Sequence, residues 1–227
     1  MDELNQEYPV KAVIFDFDGT IADTLPLSIN IAIKINDELK LIRKEEIDLE
    51  AFRSISTEDF IKRLKLPRYK IIYYLLRIRS ILGKNIDRVE VFTGIKDMLF
   101  QLKKYNIKLA IVSTNSVKNI KKFIKINNIE LFDFIASPLF PINKKRAIGR
   151  VINNLGISPK NIIYVGDETR DIKAAHDNNL RAISVTWGFH FRNLLIRYNP
   201  DYVVDNANDL LKLILSLGSK DITTVIR

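Results

Sequence analysis

Asp16 and Asp18 stand two residues apart in FDFDGTIADT (Phe15 to Thr24), directly after the apolar run Val10, Ala12, Val13 and Ile14. Unpaired buried carboxylates are costly, so a strand that ends in two of them needs compensating charge nearby. Other apolar runs also stop at polar residues: IKLAIVSTN reaches Ser113, and NIIYVGDE reaches Asp167, with Asp171 four residues further on. Carboxylates and hydroxyls gathered in this way can hold a cation, attack as nucleophiles or carry protons. The chain has no cysteine, and its only imidazoles are His176 and His190. Thiolate metal sites are therefore excluded, a histidine-rich zinc site is not expected, and any metal must be held by oxygen.

The elements that must position these groups follow from the hydrophobic pattern. VKAVIFDFDG, IKLAIVSTN, NIIYVGDE and LRAISVTWG are apolar runs of strand type, each followed by a helical pattern. Strands alternating with helices predict an α/β fold, a parallel sheet covered by helices on both faces. Helices are expected over Val117 to Asn127, Lys145 to Leu155, Asp171 to Asn178 and Asn208 to Leu217, and further short strands over Phe132 to Ser137 and Asp201 to Asp205. Open parallel sheets bind ligands beyond the carboxyl ends of their strands, so Asp16, Asp18, Ser113, Asp167 and Asp171 should converge there.

From about Leu25 to Asp87 the spacing is helical and no strand is evident. Pro67 divides two helical patterns, Gly83 should end one, and Ser56 with Asp59 suits a helix start. The expected division is a core of residues 1–22 and 88–227 with a helical cap, residues 23–87, inserted after the first strand.

With DxDGT, a strand-end serine, a downstream lysine and GDxxxD in this order, the chain resembles the haloacid dehalogenase superfamily of phosphohydrolases. It is most similar to the phosphoglycolate-phosphatase-like branch, through FDFDGTIADT, IVSTNS, YVGDETRDI and VTWGF. The resemblance covers nearly the whole length and implies a Rossmann-like core with a helical cap. It implies that Asp16 is the nucleophile that forms an aspartyl-phosphate. A carboxylate can take a phosphoryl group and return it to water, dividing one difficult displacement into two. Asp18 would lie about 7 Å further along an extended strand, nearer if the chain turns at Gly19, well placed to protonate the leaving oxygen and then activate water. The implied cofactor is Mg²⁺, held by the Asp16 side chain, the Asp18 backbone carbonyl and the Asp167 side chain with Asp171 in support. Mg²⁺ suits such a site because it prefers oxygen ligands and keeps several waters.

By the same resemblance Ser113 binds phosphate, with Gly19, Thr20, Thr114 and Asn115 as further substrate-binding positions; turn and capping duties would also explain Thr114 and Asn115. The expected catalytic lysine falls in LFPINKKR, where relatives commonly read LFGK. Counting back from the following helix selects Lys144, with Lys145 as the alternative. For Asp167 and Asp171, capping of a helix start is the competing reading when they are taken alone.

The cap is basic, carrying Arg43, Lys44, Arg53, Lys62, Arg63, Arg68, Arg77 and Arg79. Arg53 is the candidate for a substrate carboxylate or second anionic group, since an arginine fork binds planar anions at two points; a plain surface arginine is the competing reading. Trp187, Gly188, Phe189 and His190 could line the site mouth, although packing explains the aromatics as well. Tyr73, Tyr74, Leu75 and Leu76 read as cap core or a partner surface.

Net charge is +9, with 36 Lys plus Arg against 27 Asp plus Glu. That excess fits an anionic partner, but an Ile-, Lys- and Asn-rich composition explains it better. A nucleic-acid partner is not expected, for want of an interleaved basic and aromatic stripe. No run approaches the roughly 20 apolar residues that span a bilayer, so no membrane partner and a cytoplasmic location are expected. The expected activity is Mg²⁺-dependent hydrolysis of a small phosphorylated metabolite, phosphoglycolate-like, by a monomer or homodimer. The alternatives are a phosphomutase on sugar phosphates and a non-catalytic nucleic-acid-binding or scaffold protein on the same fold.

Overall fold

The computed structural model describes residues 9–39, 49–63, 65–138 and 144–218. Arg43, Lys44 and Asn143, together with the tail from Ser219, lie outside the described residues. Six strands form one sheet: β1 (Ala12–Phe15), β2 (Lys108–Val112), β3 (Phe134–Ala136), β4 (Ile162–Gly166), β5 (Arg181–Val185) and β6 (Tyr202–Val204). Their order is β3-β2-β1-β4-β5-β6 and every pairing is parallel. Parallel neighbours require crossovers, and helices supply them on both faces.

Alternation along the strands assigns each face. Val13, Phe15, Leu109, Ile111, Ile163, Val165, Ile183 and Val185 pack on one side with α5 (Ile95–Lys104), α6 (Val117–Ile126) and α10 (Ala207–Ser216). Ala12, Ile14, Ala110, Val112, Ile162, Tyr164 and Ala182 face α7 (Lys144–Leu155), α8 (Thr169–His176) and α9 (Arg192–Arg197). From β1 at the centre of the sheet the chain runs outward to β3, then crosses back to β4. This makes the carboxyl end of β1 the point where connections diverge to opposite sides, and it is beyond such a point that open parallel sheets form their ligand crevice. Among the described residues no helix is long and apolar enough to cross a membrane.

Among the described residues between β1 and α5 lie the α-helices α1 (Leu25–Leu39), α2 (Leu49–Ser54), α3 (Thr57–Arg63) and α4 (Arg68–Lys84), followed by a 3-10 turn at Ile86–Arg88. Ser56 caps α3, its hydroxyl accepting from the Asp59 amide at 3.1 Å, and Pro67 immediately precedes α4. Gly83 does not end α4, as the spacing predicts; the helix runs on to Lys84. The glycine instead leaves room for Asn119, whose side-chain amide would collide with a Cβ at that position.

The chain leaves β1 through a tight turn in which the Ile21 and Ala22 amides both donate to the Phe17 carbonyl at 3.0 Å. Gly19 sits in that turn with φ +80°, a conformation open to glycine at little cost. The segments that enter and leave the helical insertion then run side by side: Asp23 N donates to Glu90 O at 2.9 Å, and Phe92 N to Ile21 O at 3.1 Å.

Candidate active site

Asp16 follows β1 directly, and its amide still belongs to the sheet, donating to Val165 O at 2.8 Å. Its carboxylate is 2% exposed and accepts from Phe17 N at 2.7 Å and from Lys144 Nζ at 2.8 Å. Lys144, the first residue of α7, is equally buried and reaches Asp171 as well as Asp16. Burial works against its ammonium, yet Asp16 and Asp171 hold it well above the usual lysine range, so it is a fixed positive charge. Lys145 points away, exposed, 3.7 Å from Asp177.

Asp167 and Asp171 come from the end of β4 and the first turn of α8. The Asp167 carboxylate accepts from Thr20 Oγ1 and from Phe189 N, both at 2.7 Å. Gly19 and Gly188 are small where they must be, since a Cβ on either would collide with that carboxylate. Asp171 forms a capping box with Glu168: each side chain accepts from the other's backbone amide. Capping and site-building therefore coexist at Asp171.

One oxygen each from Asp16, Asp167 and Asp171 lie within 4.8 Å of one another. This crowding has an electrostatic signature. Burial, opposed by Lys144 and reinforced by Asp171, pushes the Asp16 carboxyl up to about 7. Burial beside Glu168, Asp171 and Asp16 drives Asp167 well above the usual carboxylate range. A compact all-oxygen set that resists carrying its full negative charge fits a small divalent cation such as Mg²⁺, which would relieve the repulsion.

Asp18 faces the other way. Its carboxylate accepts from Ser113 Oγ at 3.1 Å and Asn115 Nδ2 at 3.0 Å, beyond the end of β2, and stays outside the three-carboxylate group. Burial raises its pKa against the pull of those two bonds. Ser113 Oγ also accepts from Asn115 N at 3.0 Å, and Asn115 Oδ1 accepts from Ser116 N, so the turn is locked. Thr114 is half-buried at the same strand end. Two aspartates two residues apart thus sit in opposite surroundings, one against a lysine and two carboxylates, the other against neutral donors.

The sequence model of the haloacid dehalogenase-like hydrolases matches residues 13–185. The chain belongs to that family. It is 33% identical to the phosphoglycolate phosphatase of Synechococcus elongatus over 209 residues, 92% of this chain and 99% of that protein. Pyrophosphatase PpaX of Bacillus mycoides is 23% identical, covering 90% of this chain and 97% of that one. The same fold is seen in the crystal structure of a predicted phosphatase from Clostridium acetobutylicum, with a TM-score of 0.77 and 23% identity over 92% of this chain and all of that one.

On this haloacid dehalogenase-like core the helical insertion is attached by polar tethers. Arg53 does not present a free fork to the crevice: Nε donates to Phe189 O at 3.1 Å, Nη2 to Gly188 O at 3.0 Å, and the guanidinium lies 4.2 Å from the Phe191 ring centre. Thr57 Oγ1 donates to Glu168 Oε2 at 2.5 Å. Glu168 also pairs with Arg170; burial pushes its carboxyl up, but Arg170, His190, the Thr57 hydrogen bond and Lys144 together outweigh that and draw it down to about 2. The Trp187 indole donates to Thr20 O at 3.1 Å, and His190 is fully buried, its Nδ1 accepting from Thr169 N at 3.1 Å.

Sequence reasoning did not single out Glu168, Thr57 or Arg170. Glu168 lay inside the quoted GDETRDI motif, but only the fold brings Thr57 across to it.

Proposed function

We propose that the protein is a Mg²⁺-dependent phosphatase that hydrolyses a small phosphorylated metabolite of the phosphoglycolate type through an aspartyl-phosphate on Asp16. The observation that carries this reading is the division of labour between Asp16, bonded to Lys144 at 2.8 Å, and Asp18, bonded only to neutral donors. In the first step an Asp16 oxygen forms a bond to phosphorus while the bond from phosphorus to the leaving oxygen breaks. Asp18, whose burial keeps a proton on it to higher pH than an exposed aspartate, donates that proton to the leaving oxygen. In the second step Asp18 takes a proton from the water that attacks phosphorus, phosphate departs, and the Asp16 carboxylate is restored.

Lys144 offsets charge at Asp16, and Ser113 with the neighbouring amides offers donors to the phosphoryl oxygens. Asp16, Asp167 and Asp171 would hold Mg²⁺, which when bound supplies further neutralisation of the transferring group. The 33% identity to a phosphoglycolate phosphatase along nearly the whole chain supports the substrate class. We also propose that residues 23–87 act as a cap over the crevice, which their tethers at Arg53 and Thr57 support.

Phosphate release from p-nitrophenyl phosphate and from phosphoglycolate, assayed with Mg²⁺, tests the reading. EDTA should abolish release, and Asp16→Asn should lower kcat by about 10⁵-fold, as expected when a nucleophile is lost. Full activity of Asp16→Asn would sink the assignment.

A further inference from the structure

Among the described basic residues of the insertion, Arg79 on α4 is the one turned toward Asp18. Its Nη2 donates to Ser137 Oγ at 3.1 Å, Ser137 Oγ donates to Asn115 O at 2.5 Å, and Asn115 Nδ2 donates to Asp18 at 3.0 Å. Asn119 fixes the helix at the same level, its amide donating to Arg79 O at 3.2 Å. Burial depresses the guanidinium and the Asp18 carboxylate opposes that, so the two groups lie within electrostatic reach. The remaining terminal nitrogen, Nη1, is sealed from solvent and has no hydrogen-bond partner among the described residues. A buried charged donor left unsatisfied is expensive, so the position favours a ligand that completes it.

The chemistry of the crevice says which part of a substrate would do so. Asp18 must stand at the leaving oxygen to protonate it, so whatever that oxygen carries extends past Asp18, away from the Asp16, Asp167 and Asp171 group. We propose that Arg79 Nη1 receives a negatively charged group, a carboxylate or a second phosphate, carried on the leaving side of the substrate. This assignment rests on the phosphatase reading. It moves anion recognition away from Arg53, whose Nε and Nη2 are spent on the Phe189 and Gly188 carbonyls.

The experiment compares kcat/KM for three substrates in wild type and Arg79→Gln: phosphoglycolate, pyrophosphate and p-nitrophenyl phosphate, whose leaving side has no anion. Loss of a charged hydrogen bond should lower the ratio of an anionic substrate to the aryl phosphate by about 30-fold, mostly through KM. A fall confined to phosphoglycolate identifies a carboxylate, and one confined to pyrophosphate identifies a phosphate. An equal loss on all three substrates, or a loss on none, overturns the proposal. Arg79→Lys keeps the charge without the fork; if Arg79→Gln does not fold, the lysine variant decides alone, a ratio at least about threefold lower supporting the assignment and an unchanged ratio overturning it. Failure of the wild type to release phosphate from any of the three would instead refute the phosphatase reading.

Discussion

The strand ends and the helical insertion differ in how completely apolar packing fixes them. Around β1, every residue from Ala12 to Phe17 is buried, and the neighbours are buried strands and apolar helix faces. In the insertion, Ile31 and Ile35 of α1 and Leu82 of α4 join that apolar core, but Leu82 is the one buried residue of α4 and α3 has none. Its junction with the core includes polar links: Arg53 to two carbonyls, Thr57 to Glu168, and Arg79 to Ser137. Close-packed apolar contact fixes atoms to within fractions of an ångström, as groups that make and break bonds require. Hydrogen bonds at an edge can be exchanged for water, as the cap role proposed for the insertion requires.

The contrast can be broken or sharpened by measurement. Asp18→Asn should lower kcat by about 10³-fold while the protein melts near the wild-type temperature, because general acid–base function is lost without disturbing the packing. A loss under tenfold would remove Asp18 from the chemistry.

Cation binding should reveal the strain among the core carboxylates. Asp16 has its carboxyl raised from 3.8 to about 7, so the fold prefers it protonated. Below pH 3.8 both folded and unfolded chains carry the proton and there is no penalty. As pH rises toward 7 only the unfolded chain ionises freely, and the cation-free protein loses stability. Mg²⁺ at a hundredfold its Kd at pH 8 should therefore raise the melting temperature by about 8 °C at that pH, and the same concentration should raise it by clearly less at pH 5, where the ion must displace protons and its Kd is higher. Equal shifts at both values would contradict this account.

In the insertion, Arg53→Ala should lower kcat/KM by about tenfold through loosened docking on the 188–191 loop, with little change in global stability in urea. A loss as large as that of Asp18→Asn would place the insertion within the reacting machinery. The smallest effect belongs to the exposed stripe of α4. Tyr73, half exposed, should tolerate Tyr73→Ser within about 0.5 kcal/mol by urea denaturation.

The sheet was legible because each buried strand is a short apolar run that stops at a polar residue, a signal that needs no partner to be read. Asp16, Asp18, Ser113, Asp167 and Asp171 were legible together for the same reason, since strand order alone carries them to one edge. Helix α5 left a fainter mark: IKDMLFQLKK is short and amphipathic, and its burial of Ile95, Met98, Leu99 and Leu102 becomes apparent only against β2 and α10. Helix α9, six residues long, is too short for periodicity to register. The tethers were the least legible of all. Helical spacing says that Arg79 lies on a helix and leaves Arg53 between helical segments; it does not say that Arg53 meets the loop after β5 and Arg79 the loop after β3. Gly83 illustrates the same limit, because its role is to admit Asn119 from a different helix rather than to stop its own.

Asp23 and Glu90 share a hydrogen bond of 2.9 Å although more than sixty residues separate them, and Ala22 pairs antiparallel with Val91. The insertion thus begins and ends at one point on the crevice rim, like a hairpin whose tip has been expanded. A tight turn joining residues 22 and 91 would leave all six strands paired in their present order. Outside the stretches that carry the core residues Ile31, Ile35, Leu82 and Ile86, lengthening or trimming the inserted chain alters mainly loop-closure entropy, which grows only slowly with length. The architecture therefore separates two rates of change: the sheet can keep one set of reacting groups while the excursion from its rim is rewritten for another substrate.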